Sequence, residues 1–166
     1  MPIGTARAPV ISLIANEIFA RLQRMITSSD GSYFFNDVVR PTKLATYTPK
    51  HGLIVLTRGD QIRVPDLDCP GNPPSVCWQQ TFQIRVHIAP SERDETAVEV
   101  FEDVAQAEIT KALRNSDTWH TFNGNAINAD FQPVITVTSD GSYSGVSVPV
   151  DVVYRVSEDD PYTVRA

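Results

Sequence analysis

The chain has 166 residues, 42% hydrophobic and 20% charged, values that suit one globular domain with a buried core. Lys and Arg number 14 against 20 Asp and Glu, for a net charge of −6, and no basic cluster offers the phosphate neutralisation on which nucleic-acid affinity rests. No apolar run approaches the roughly 20 residues that span a bilayer, and the N-terminal residues, interrupted by Asn16 and Glu17, do not read as a secretion signal.

Residues 1–8 read as a flexible arm. From Pro9 to Thr27 apolar residues recur at Ile11, Ile14, Ile18, Leu22 and Met25, the period of an amphipathic helix, with Pro9 in its first turn. Asn16, Glu17, Arg21, Gln23 and Arg24 are expected on its wet side, and Ser28–Gly31 ends it. Aromatic and β-branched residues between 32 and 52, broken by Pro41 and Pro49, predict a short strand and an irregular connection. Leu53–Thr57 reads as a strand covered on both faces, closed by an Arg58–Gly59–Asp60 turn. Residues 60–75 form a proline-rich loop with room for an edge strand at Gln61–Val64.

A long alternating strand follows over about 75–89. Its even positions are Val76, Trp78, Gln80, Phe82, Ile84, Val86 and Ile88; its odd positions are Cys77, Gln79, Thr81, Gln83, Arg85 and His87. Ser91 or Asp94 caps a second helix whose stripe is Val98, Phe101, Val104, Ala105, Ile109, Ala112 and Leu113. Residues 118–130 read as a polar loop holding Trp119 and Phe122. A hairpin then joins 131–138 to 145–157, its last strand pointing Val146, Val148, Val150, Val152, Tyr154 and Val156 inward and Ser147, Pro149, Asp151, Val153 and Arg155 outward. Residues 158–166 read as a tail.

This order predicts a single α+β domain: a mainly antiparallel sheet of four to five strands, two helices on one face and a C-terminal hairpin. The other face then carries Gln79, Thr81, Gln83, Arg85, His87, Asp151, Val153 and Arg155. Solvent or a neighbouring protein could cover it, and a valine-rich terminal strand is a hazardous free edge unless something pairs with it. Trp119 is read either as an interface anchor or as a cover over the sheet.

Signals for chemistry are weak. His51, His87 and His120 lack a nucleophile context, no GxSxG elbow occurs, and Cys77 has no acidic or helical activator nearby. Asp66 and Asp68 lie in the proline-rich loop, while Glu92, Asp94 and Glu95 are explained by capping and the helix dipole. No phosphate loop, calcium loop or zinc spacing is present, so no cofactor or metal is expected. Arg58–Asp60 spells a cell-adhesion tripeptide and has an adequate explanation as a turn. Cys69 and Cys77 could close a disulfide across the loop; free thiols are the favoured reading.

The layout resembles the tail-terminator (tail-completion) proteins of long-tailed phages and gene-transfer particles. The resemblance is carried by the Val10–Ile26 helix, Gly52–Gly59, the Trp78–Ile88 strand, the Ala89–Glu92 step, the acidic 94–113 helix and the closing Val148–Val156 strand, which together span most of the chain. The Cys69–Val76 loop and residues 157–166 depart from the compact family plan. The resemblance implies a virion structural protein at the neck of the tail, assembled in the host cytoplasm. It implies a homo-oligomeric ring, expected to be a hexamer, that caps the tail tube protein, ends its polymerisation and docks a head-completion or connector protein. DNA would pass through the lumen without specific binding, and neither membrane nor enzymatic activity is implied. A head–tail connector or tube subunit of related fold is the near alternative; a small enzyme or ligand-binding domain using the polar face and His87 is the distant one.

The alternation supplies a direct test of the strand. Ile84→Asp places an unpaired charge in the core and is expected to abolish folding, read as loss of cooperative thermal unfolding by circular dichroism. A soluble, folded variant would refute the register.

Overall fold

The computed structural model describes residues 8–27, 35–41, 48, 51–88, 95–137 and 144–164. In chain order these form helix α1 (Val10–Thr27), strands β1 (Asp37–Val39), β2 (Leu53–Arg63) and β3 (Ser75–Ile88), helix α2 (Glu95–Leu113), and strands β4 (Asn128–Phe131), β5 (Ile135–Val137) and β6 (Ser144–Ser157). The result is one α+β domain. Its sheet has six strands in the order β1-β2-β3-β6-β4, with β5 also paired to β6. The expected α+β arrangement, a mainly antiparallel sheet with two helices on one face, is present, with six strands where four to five were expected. β1 is the short strand expected between 32 and 52, here a parallel edge, and the predicted 118–130 loop gives way to β4, whose Asn128–Phe131 pairs with Val153–Val150. Four residues within a polar stretch carry too little alternation to be read as a strand.

Alternation dictates the packing. Phe82, Ile84, Val86 and Ile88 of β3 join Val146, Val148, Val150 and Val152 of β6 in one buried cluster with Val10, Ile14, Ile18 and Leu22 of α1 and Phe101, Ala105, Ile109 and Leu113 of α2. Each aliphatic side chain buried this fully stabilises by about 1.5–3 kcal/mol. Both helices thus cover the even-numbered face of β3, as the pattern predicts. Leu53–Leu56 are buried throughout, the two-sided cover expected of that run.

Arg21, expected on the wet side of α1, is instead 3% exposed. Its Nε donates to Glu17 Oε1 at 2.8 Å and its Nη1 to the Leu113 carbonyl at 2.7 Å, and its guanidinium lies over the Phe122 ring. A charge so buried needs this full set of partners. The last turn of α2 provides an orphan carbonyl that only the tertiary fold brings within reach.

A second correction concerns Arg58–Gly59–Asp60. These residues do not turn the chain; they lie inside β2, at a bulge where the register to β3 shifts between Arg58 and Gln61. Gln80 resolves the irregularity. It is 3% exposed on the core-facing side, and its amide nitrogen donates to the carbonyls of Gly59, Asp60 and Thr81 at 2.9, 3.1 and 2.8 Å. The bulge leaves carbonyls without ladder partners, and the glutamine satisfies them. Only residues 64–74 of the predicted loop lie outside the long strands, and within them Cys69 bridges Ser75.

Residues 158–164 are not a loose tail. Val164 bridges Val156, Glu158 N donates to the Pro74 carbonyl at 3.0 Å, and Val10 N donates to the Pro161 carbonyl at 3.2 Å. The C-terminal segment thereby ties the start of α1 to the end of β6. The predicted arm falls almost wholly outside the described residues, as do the Ser28–Gly31 stop, the Ser91 and Asp94 caps and the tip of the hairpin.

Gly145 pairs with His87 at the start of β6, and a Cβ built there would sit 2.3 Å from the Val86 carbonyl oxygen. Gly145→Ala is therefore expected to destabilise the protein by about 1–3 kcal/mol, measured as a lowered urea midpoint at unchanged slope. Wild-type stability would contradict the close approach.

Candidate assembly face

The odd-numbered face of β3 carries a polar strip whose order follows from the strand register. Ile62 of β2, Gln79 of β3, Val153 of β6 and Asn128 of β4 form one cross-strand row. Thr81, Asp151 and Asp130 form the next, followed by Thr57, Gln83 and Pro149, and then by Val55, Arg85, Ser147 and Ile135. Eight of the residues singled out from sequence, Gln79, Thr81, Gln83, Arg85, His87, Asp151, Val153 and Arg155, thus share one face.

The centre of the strip is fixed by its own hydrogen bonds. Asp151 accepts from Thr81 Oγ1 at 2.6 Å and from Gln79 Nε2 at 3.0 Å, and Ser147 Oγ donates to Gln83 Oε1 at 2.7 Å. Gln79, Thr81, Gln83, Asp151 and Val153 are half-buried, and Arg85 is exposed. The carboxylate of Asp151 is held between two neutral donors, so the polar side chains at the centre of the face are fixed in place by one another. At the β1 end of the sheet the face is covered: His87 is 8% and Ser147 3% exposed. Burial, and secondarily the charge of Arg85, pushes the His87 imidazole below its ordinary pKa of 6.5.

One singled-out residue lies elsewhere. Trp119, in a short 3-10 turn (Trp119–Thr121), packs on the core cluster on the helix side, stacked on Phe131 at 5.4 Å between ring centres with the Arg114 guanidinium over both rings. Its carbonyl also accepts from Arg21. Of the two readings of Trp119, the cover over the sheet is the one this geometry matches. Arg155, opposite Cys77, shares the polar face but extends to the Pro65–Leu67 turn at its margin, where it donates to the Leu67 carbonyl at 2.9 Å. Ile62 joins the face without having been anticipated. Its signal was the Gln61–Val64 alternation, masked by reading Arg58–Asp60 as a turn; at 54% exposure it is one of the most open large apolar side chains described.

Below the strip, Asp68 accepts from Cys77 N at 2.7 Å and from Arg63, contacts that hold its carboxyl below the usual range, the backbone bond being the larger cause. Both cysteines are free, and burial pushes the Cys77 thiol up, away from the reactive thiolate. Among the described residues no three His, Cys, Asp or Glu side chains converge as a metal site would require, and no helix is long and apolar enough to cross a membrane. The arrangement can present shape and hydrogen-bonding groups to another protein surface; it assembles no nucleophile with a base.

His87 supplies a pH test. The folded protein takes up the imidazole proton at lower pH than the unfolded chain, so stability is complete above about pH 7 and declines as pH falls through 6.5. His87→Gln is expected to flatten that decline in urea unfolding series between pH 7 and 5; parallel curves for variant and wild type would remove the assignment.

No protein-family model matches the chain, and no curated protein matches it.

Proposed function

We propose that this chain is a virion structural protein of the tail-terminator kind: a ring subunit, expected in six copies, that caps a phage tail tube, stops its polymerisation and presents a docking surface for a head-completion or connector protein. The observation that carries the reading is the polar sheet face, ordered by the Thr81–Asp151–Gln79 and Ser147–Gln83 hydrogen bonds and, among the described residues, without a helical layer. Such a surface suits repeated contact with neighbouring subunits. The outer half of β2 supports it: residues 58–63 are exposed and run beyond β1, which pairs only with Leu53–Val55. Arg58, Asp60, Arg63 and the bulge discourage indiscriminate strand pairing there, as an edge meant for a specific partner requires. The acidic balance suits a lumen through which DNA slides without being held. Assembly would take place in the host cytoplasm, with the finished ring at the neck of the virion.

Electron microscopy of particles with the gene deleted and then restored tests this reading. Overlong, unattached tubes beside filled heads are the expected result, reversed on complementation. Normal-length tails that fail to join heads would make the chain a connector instead, and unchanged particles would overturn the virion assignment.

A further inference from the structure

On the helix side of the sheet, at its β1–β2 edge, a cleft of about 570 Å³ is lined by Ala15, Pro41, Leu56 and Phe82 with the side chains of Arg40 and Arg58. The two guanidiniums are held in place by neutral groups one turn apart on α1: Arg40 Nη1 donates to Asn16 Oδ1 at 2.6 Å, and Arg58 Nη2 to Ser12 Oγ at 3.2 Å. Each has five N–H donors, and among the described residues neither meets a carboxylate within ion-pair distance. The segment joining Pro41 to His51 contains two lysines and no acid. Partial burial and the neighbouring Arg58 lower the pKa of Arg40, as expected of two like charges sharing one cleft.

The opposite edge of the sheet has the complementary character. α2 carries Glu95, Glu99, Glu102, Asp103 and Glu108 before its first cation, Lys111. Glu99 and Asp103 are exposed one turn apart, beside Val100 at 53% exposure. Glu102 accepts from Thr136 of β5 at 3.1 Å, which turns this acidic face of α2 toward the β5–β6 side, while the intervening Phe101 points the other way, onto Phe35 and His51. Paired cations lie on the β1–β2 side, and paired carboxylates beside an exposed valine face the β5–β6 side. A surface and its complement on opposite edges of one chain make a head-to-tail contact, the kind that closes into rings.

We propose that the Arg40–Arg58 cleft is the socket by which one copy of this chain takes the Glu99–Asp103 turn of α2 from the next copy. The inference deepens the ring reading and rests on it. Arg40 and Arg58 would bind the two carboxylates while Val100 meets the half-buried Pro41 at the rim; Ala15, Leu56 and Phe82 beneath are already buried within the chain. Charge fixes direction here, because cleft against cleft or helix against helix is repulsive.

Charge reversal tests the contact in the purified full-length protein, with oligomer size read by native mass spectrometry and sedimentation across a concentration series. Arg40→Glu/Arg58→Glu and Glu99→Lys/Asp103→Lys are each expected to raise the concentration needed for assembly by about 100-fold or more. All four reversals combined in one chain are expected to restore assembly, as is mixing the two double variants. The milder Glu99→Gln/Asp103→Asn variant should show the same loss to a smaller degree, and circular dichroism verifies that each variant is folded. Double variants that assemble as the wild type does would overturn this contact and leave the ring standing. A folded quadruple variant that stays dissociated would overturn it as well. A wild-type chain that remains monomeric at every concentration would remove the ring and the contact together.

Discussion

Fourteen consecutive residue pairs join β3 to β6, from Ser75 opposite Ser157 to Ile88 opposite Ser144. Every other element takes its position from this ladder. β2 and then β1 extend the sheet on one side, and β4 and β5 on the other; the helices pack on its even-numbered face, and the polar strip is its odd-numbered face. A slip by one residue would exchange the two faces completely, putting Gln79, Thr81 and Gln83 under the helices and Phe82 and Ile84 in water. Buried valines and isoleucines along both strands make that exchange prohibitively costly, so the polar face is specified by the same pattern that specifies the core.

The helical layer depends on a smaller device. Arg21 reaches from α1 to the last carbonyl of α2, pairs with Glu17 and lies over Phe122, linking both helices to the turn that carries Trp119. Taking one partner from a buried charged group typically costs about 3–5 kcal/mol. The arrangement is therefore a specificity element: it holds the helix ends at one separation while Arg114, Trp119 and Phe131 close the gap behind them. Trp119 owes its exposure pattern to this role.

Function and fold meet in the asymmetry of the sheet. One face is filled by helices and the other is a hydrogen-bonded plane; cations gather at one edge and carboxylates at the other. Such a distribution is what the proposed ring subunit, recognising copies of itself in one direction, would use. The bulge in β2 belongs to the same logic. Gln80 stabilises it from within, and it carries Arg58 and Asp60 along an edge that would otherwise be flat and open to any strand.

By itself the sequence determined the elements whose periodicity is long and unbroken: α1, the stripe of α2, β3 and β6, and from these the α+β class, the one-sided helical cover and the membership of the polar face. Periodicity is local, so it survives without knowledge of the fold. It could not reveal β4, four residues long, or the continuation of β2 through Arg58–Asp60, where the letters of a turn sit in a bulge satisfied by a glutamine on the next strand. Nor could it show that Arg21 is buried, that residues 158–164 are tied to α1 and β6, or that His87 is covered while Arg85, two residues away on the same face, is open. Tertiary structure decided these, because each depends on a partner distant in sequence: a carbonyl at the end of α2, a proline at 161, a neighbouring strand. The meeting of Arg40 with Arg58 has the same origin, since eighteen positions of sequence separate two charges that the sheet edge and α1 bring into one cleft.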